Sequence, residues 1–176
     1  HKAKRVPHAA GCSRTAAELA QRFGADTDAA RRAGILHDVT KALTPSEQLQ
    51  LCETYGMILS DFERKNAKLL HAKTGAAVAE RVFGESPEVC EAIRWHTTGR
   101  AGMNTLEKII YLADYMEPNR DFPGVEKLRT AAQTNLDAAV ALGLEMSVEQ
   151  LRERGREVDE NSLAALKELK ERTSEQ

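Results

Sequence analysis

Apolar residues recur along this chain at helical spacing. From His8 to Phe23 they stand at Ala9, Cys12, Ala16, Leu19, Ala20 and Phe23, the i, i+3, i+4 stripe of one helix face, and Gly24 ends the run. Asp26 has the form of an N-cap for a helix over 29–39. Thr44-Pro45-Ser46-Glu47 reads as a capping box with proline in the first turn, opening a helix that runs to Tyr55 and stops at Gly56. A further stripe spans 70–82 and is closed by Gly84. Ser86-Pro87 opens a helix that reaches Trp95 and His96, and Asn104, with Glu107 three residues on, caps another that Pro118 ends. Two or three more follow over 125–155 and 159–172. No alternating β-branched run is long enough for a strand. The pattern predicts an all-α helical bundle of seven to nine helices, one domain over 1–176, with helices over 130–172 and a frayed end over 173–176.

Composition narrows the function classes. The 176 residues suffice for one core without metal or disulfide staples, so a metal here is expected to be functional rather than structural. Twenty-five basic residues against 27 acidic ones give a net charge of −2, which argues against a general nucleic-acid binder. No apolar run approaches the roughly 18 residues that cross a bilayer; the most apolar stretch, 138–144, is far shorter. The basic start, in which His1 is given no weight, is followed by no apolar segment, so no secretory leader is expected. Cys12, Cys52 and Cys90 are scattered and form no C-x-x-C, as expected of reduced core thiols in a cytoplasmic protein.

The chemistry sits in stranded polar residues. His37 and Asp38 form an ionisable doublet inside Ala33-Gly34-Ile35-Leu36-His37-Asp38-Val39, and Asp114 stands inside the apolar run from Ile109 to Met116. A charge in an apolar turn costs several kcal/mol unless it is paired or binds a metal. His8, His71 and His96 supply further imidazoles near helix boundaries. Imidazole with carboxylate suits iron, manganese, zinc or nickel. No helix carries a His pair at i, i+4, so the ligands would converge from several helices in a bundle core. Trp95, Tyr111 and Tyr115 read as core packing, Glu117-Pro118-Asn119 as a helix end and turn, and the charge run 152–160 as a solvated face.

These residues carry a resemblance. His8, then His37-Asp38, then Asp114 is similar to the metal-binding pattern of the HD-domain superfamily of metal-dependent phosphohydrolases. The strings GILHDVTK (34–41), HAKTGA (71–76), IRWHTTGR (93–100) and LEKIIYLADYMEPNRDFPGVEKLR (106–129) resemble its bacterial YqeK-type members, over about residues 8–129. The resemblance implies an HD-type bundle that hydrolyses diadenosine tetraphosphate symmetrically to two ADP. It implies metal ligation by His8, His37, Asp38 and Asp114, catalytic roles for His71, His96 and Asp38, and nucleotide binding by Lys41, His71, His96, Thr97, Thr98, Gly99, Arg100 and Arg120. The implied cofactor is iron, in a one- or two-metal site, with manganese or another divalent transition metal as the alternative. The implied partner is a small nucleotide, with no nucleic acid and no membrane, and a homodimer is left open. Pro7 and Ala9 depart from the family's usual neighbours of the first histidine, and the tail over 161–176 departs from its usual ending. Chemistry agrees with the implied reaction: a metal lowers the pKa of bound water toward 7 and polarises a phosphoryl oxygen. The chain has no glycine-rich phosphate loop, so side chains must bind phosphate. Two alternatives stand beside this reading: another HD-type nucleotide phosphatase or phosphodiesterase, and a non-catalytic nucleotide-binding sensor.

Overall fold

The computed structural model describes residues 2–174; His1 and the last two positions of the expected frayed end lie outside them. The described chain is helical, with α1 (Lys2–Phe23), α2 (Thr27–Leu36), α3 (Pro45–Thr54), α4 (Asp61–Lys65), a 3-10 turn (Ala67–Leu69), α5 (Leu70–Arg81), α6 (Pro87–Arg94), α7 (Thr105–Met116), α8 (Val125–Ala131), α9 (Leu136–Glu153) and α10 (Glu160–Ser174). Ten α-helices among the described residues exceed the seven to nine expected. The extra one is α4, five residues too short to show a stripe. It is started by a capping box in which Ser60 accepts from the Glu63 N–H and Glu63 accepts from the Ser60 N–H. The predicted caps at Asp26, Thr44, Ser86 and Asn104 are all formed. α10 stays helical to Ser174, past the start of the expected fraying.

The other differences lie at helix ends. α1 begins before His8 and runs through Pro7. α2 stops at Leu36 rather than Val39, because the chain tightens there into i→i+3 turns: the Val39, Lys41 and Leu43 N–H groups donate to Leu36, Asp38 and Thr40. α6 likewise ends before Trp95, whose ring is half-buried with the Arg94 and Arg100 guanidinium groups over it, so the expected core residue is a cation–π partner instead.

α7 is the central strut. Ile109, Ile110, Leu112 and Ala113 are fully buried, and the helix packs against α1, α2, α6, α8 and α9. Such a helix is apolar on nearly every face, which is why Asp114 stood out against its sequence neighbours. α1 and α2 lie backbone to backbone at Gly34: a Cβ there would stand 2.7 Å from Ser13 Cα. A buried polar knot ties the 37–43 turn to α3 and α5. Gln48 Nε2 donates to the Thr40 carbonyl at 2.7 Å, Thr74 Oγ1 donates to Gln48 Oε1 at 2.6 Å, and Thr40 Oγ1 donates to the His71 carbonyl at 3.0 Å. The three cysteines are buried and unpaired, and no described helix is long and apolar enough to cross a membrane.

Candidate metal centre

Five elements deliver the stranded residues to one place. α1 brings His8, the turn after α2 brings His37 and Asp38, α5 brings His71, the end of α6 brings His96, and α7 brings Asp114. His8 Nε2 lies 2.9 Å from Asp114 Oδ1 and 3.2 Å from His37 Nε2, and His37 Nε2 lies 3.3 Å from both Asp114 Oδ1 and Asp38 Oδ2. The other oxygen of Asp38, Oδ1, lies 3.4 Å from His71 Nε2 and 3.4 Å from His96 Nε2. Two ligand sets therefore share Asp38: His8, His37, Asp38 and Asp114, and Asp38, His71 and His96.

Ring orientation is set from behind. The Nδ1 atoms of His37, His71 and His96 donate to the carbonyls of Gly34, Lys68 and Ile93, each three residues back, at 2.6, 2.5 and 2.6 Å. His8 Nδ1 instead faces Glu117 Oε2 at 3.3 Å. With every Nδ1 so engaged, Nε2 is the ring nitrogen turned to the carboxylates, the one a metal takes once it carries no proton. Donors bound about 2.0–2.1 Å from one ion stand roughly 3–3.5 Å apart, and the separations here match. Asp38 Oδ1 and His96 Nε2 are buried with no hydrogen-bond partner, a cost that a cation between them removes. The donor set fits a divalent transition ion.

Electrostatics point the same way. Burial works against the charge of Asp38, but the imidazoles of His37, His71 and His96 set against its two oxygens outweigh it and hold the carboxyl far below its usual range. Asp114 is held low in the same way by His37 and His8. Burial pushes His96 below the ordinary imidazole value, so it stays neutral. His37 is pushed well above its ordinary value: burial opposes this, and the Cys12 sulfur and hydrogen bonds to Asp114 and Asp38 overcome it. Burial raises the Cys12 thiol and keeps it neutral, so the two carboxylates carry the effect on His37.

The cations divide. Lys41 Nζ lies 3.6 Å from Asp38 Oδ2, and Arg120 Nη2 lies 3.0 Å from Asp114 Oδ1 while its Nε donates to the Asp114 carbonyl at 2.9 Å. Both reach the cluster from its solvent side. Arg100 does not: it pairs with buried Glu107 at 2.7 Å and with Glu91 at 3.2 Å. Thr97 lines a cavity of about 750 Å³ beside His96, Asp114, Arg120, Tyr115 and Phe122. Thr98 and Gly99 face the C-terminal helices instead. The Thr98 carbonyl accepts from Ser162 Oγ at 2.7 Å, and Gly99, at φ +68°, sits against Leu144 and Ala165. Sequence reasoning missed Glu117 and Asn119, assigned only to a helix end. The sequence shows only that Glu117 follows Asp114 by three residues, at the end of the same apolar run.

The HD domain family profile matches residues 5–119, which include every member of the cluster. A protein of Halalkalibacterium halodurans named symmetrical bis(5'-nucleosyl)-tetraphosphatase is 42% identical over 94% of this chain and 88% of its own length. A Bacillus subtilis protein of the same name is 43% identical over 77% of this chain and 73% of its own. A crystal structure from Clostridium acetobutylicum, described as a predicted HD superfamily hydrolase involved in NAD metabolism, superposes with a TM-score of 0.93 at 38% identity, covering 96% of this chain and 90% of that one. A profile match across the whole cluster, in a chain that keeps its relatives' sequence along nearly its full length, makes this protein a member of the HD-domain family.

Proposed function

We propose that this chain is a metal-dependent phosphoric anhydride hydrolase that cleaves diadenosine tetraphosphate symmetrically, releasing two ADP. The observation that carries the reading is the convergence of four imidazole Nε2 atoms on Asp38 and Asp114, with Asp38 Oδ1 and His96 Nε2 left buried and unpartnered. The names of the relatives supply the substrate. His8, His37, Asp38 and Asp114 would hold one ion, and Asp38, His71 and His96 a second. We read the metal as iron, with manganese as the alternative. The metal, when bound, lowers the pKa of a coordinated water and neutralises phosphate charge.

The protein's own groups do the rest. Asp38 offers one oxygen to each ligand set and fixes their spacing. His71 and His96 present Nε2 to the same carboxylate oxygen and would hold the second ion there, against the departing phosphate; the proton that ADP takes up then comes from water. Lys41 and Arg120, at the solvent side of Asp38 and Asp114, take the phosphate oxygens, Arg120 through its planar fork. Thr97 and the cavity beside it receive part of a nucleotide. Thr98, Gly99 and Arg100 would act from behind, through the turn that carries Thr97. The reading takes 1–176 as one domain and the buried thiols as those of a cytoplasmic enzyme, and leaves a homodimer to be tested by light scattering.

Product analysis tests the reaction. Diadenosine tetraphosphate should give ADP alone; AMP with ATP would mean asymmetric cleavage, and no turnover by the metal-loaded protein would favour the sensor.

A further inference from the structure

We infer that Glu117 is a positioning residue for the metal centre: its buried carboxylate fixes the His8 ring so that Nε2 faces Asp114 and His37. The inference rests on reading the cluster as a metal site. His37 and His96 follow helix ends, where carbonyls of the last turn lack amide partners and can hold an imidazole N–H. His8 cannot use that device. It lies inside α1, where the carbonyls one turn back are committed to helix hydrogen bonds. Its acceptor must come from elsewhere, and Glu117, 109 residues away and fully buried, supplies it.

The carboxylate is itself fixed. Glu117 Oε1 accepts from the Asn119 backbone N–H at 2.9 Å and from Asn119 Nδ2 at 2.7 Å, and Asn119 Nδ2 also donates to the Pro7 carbonyl at 3.1 Å. Asn119 thus ties the loop after α7 to the residue just before His8. Gly11, one turn along α1 from His8, leaves room: a Cβ there would stand 2.5 Å from Glu117 Oε1 and 3.0 Å from Asn119 Nδ2. Both oxygens of Glu117 face N–H donors, so only a carboxylate serves both sides. A glutamine would turn its NH₂ toward one of them. Glu117 Oε2 faces Nδ1, the far side of the ring from the cluster, so Glu117 orients a ligand and is not one itself.

The test is Co²⁺ binding to metal-stripped full-length protein, followed by calorimetry and by the visible absorption of the bound ion. Glu117→Gln should bind Co²⁺ about 10- to 100-fold more weakly than wild type, with an altered absorption band. Its metal-free circular dichroism and melting should match wild type. Gly11→Ala should do the same by a different route, because its new Cβ moves only the tip of a flexible side chain. Wild-type affinity and an unchanged band in folded Glu117→Gln would overturn the inference. So would loss of helix in the metal-free variant, which would make Glu117 a support of the fold. A wild-type chain that takes up no Co²⁺ would overturn the metal reading itself, a result distinct from equal binding by wild type and variants.

Discussion

Asp38 lies within 3.6 Å of His8, His37, His71, His96 and Lys41, so substitutions around it separate metal binding from substrate binding. Asp38→Ala removes the one carboxylate both ligand sets share. It should abolish activity and metal content together while far-ultraviolet circular dichroism stays helical, because the core does not depend on the ion. Global unfolding of that variant would show the site to be structural. Lys41→Met should keep its metal and lose about 1–3 kcal/mol of substrate binding or turnover, the worth of a charge-assisted hydrogen bond, with a weaker salt dependence. Metal loss as complete as in Asp38→Ala would remove Lys41 from the phosphate role.

At the scale of elements, the spacing of α1 and α2 sets the 3.2 Å approach of His8 to His37. Gly34 permits it, because the atoms its Cβ would meet are Ser13 Cα and N, at 2.7 and 2.9 Å, and backbone cannot swing aside. Gly34→Ala should therefore cost about 1–3 kcal/mol by overpacking, lowering the melting midpoint by roughly 2–4 °C per kcal/mol, and should weaken metal binding. A midpoint at or above wild type would show that the helix pair can slide. The elements were legible where local chemistry states them: the caps at Asp26, Thr44, Ser86 and Asn104 were each written in two to four neighbouring residues. The early end of α2 was not, because the apolar residues Leu36 and Val39 continue a helical stripe across a turn held by Thr40, Gln48 and Thr74, contacts made 8 to 34 residues away.

Across the whole molecule, metal removal should leave the helical signal intact, and metal affinity should rise with pH. The metal-free fold raises the pKa of His37 and so keeps a proton there that an ion must displace. Raising the pH through that value removes the competing proton and tightens binding, and the apparent binding enthalpy should vary with the ionisation heat of the buffer. Affinity independent of pH would contradict this. His37, Asp38 and Asp114 were legible in the sequence because charge inside apolar helical runs demands a partner. Glu117 was not, because it follows the helix and its burial depends on Gly11 and Asn119. The turn-anchored rings also set an order of assembly. His37, His71 and His96 are each aimed by a carbonyl three residues behind them, so they are oriented as soon as their own turns form. His8 emerges from the ribosome before any of them, yet its place waits for Asp114 and Glu117, more than a hundred residues later. The first ligand to be synthesised is the last to be set, and the site with full ligation cannot load its ion until α7 has left the exit tunnel and folded against α1.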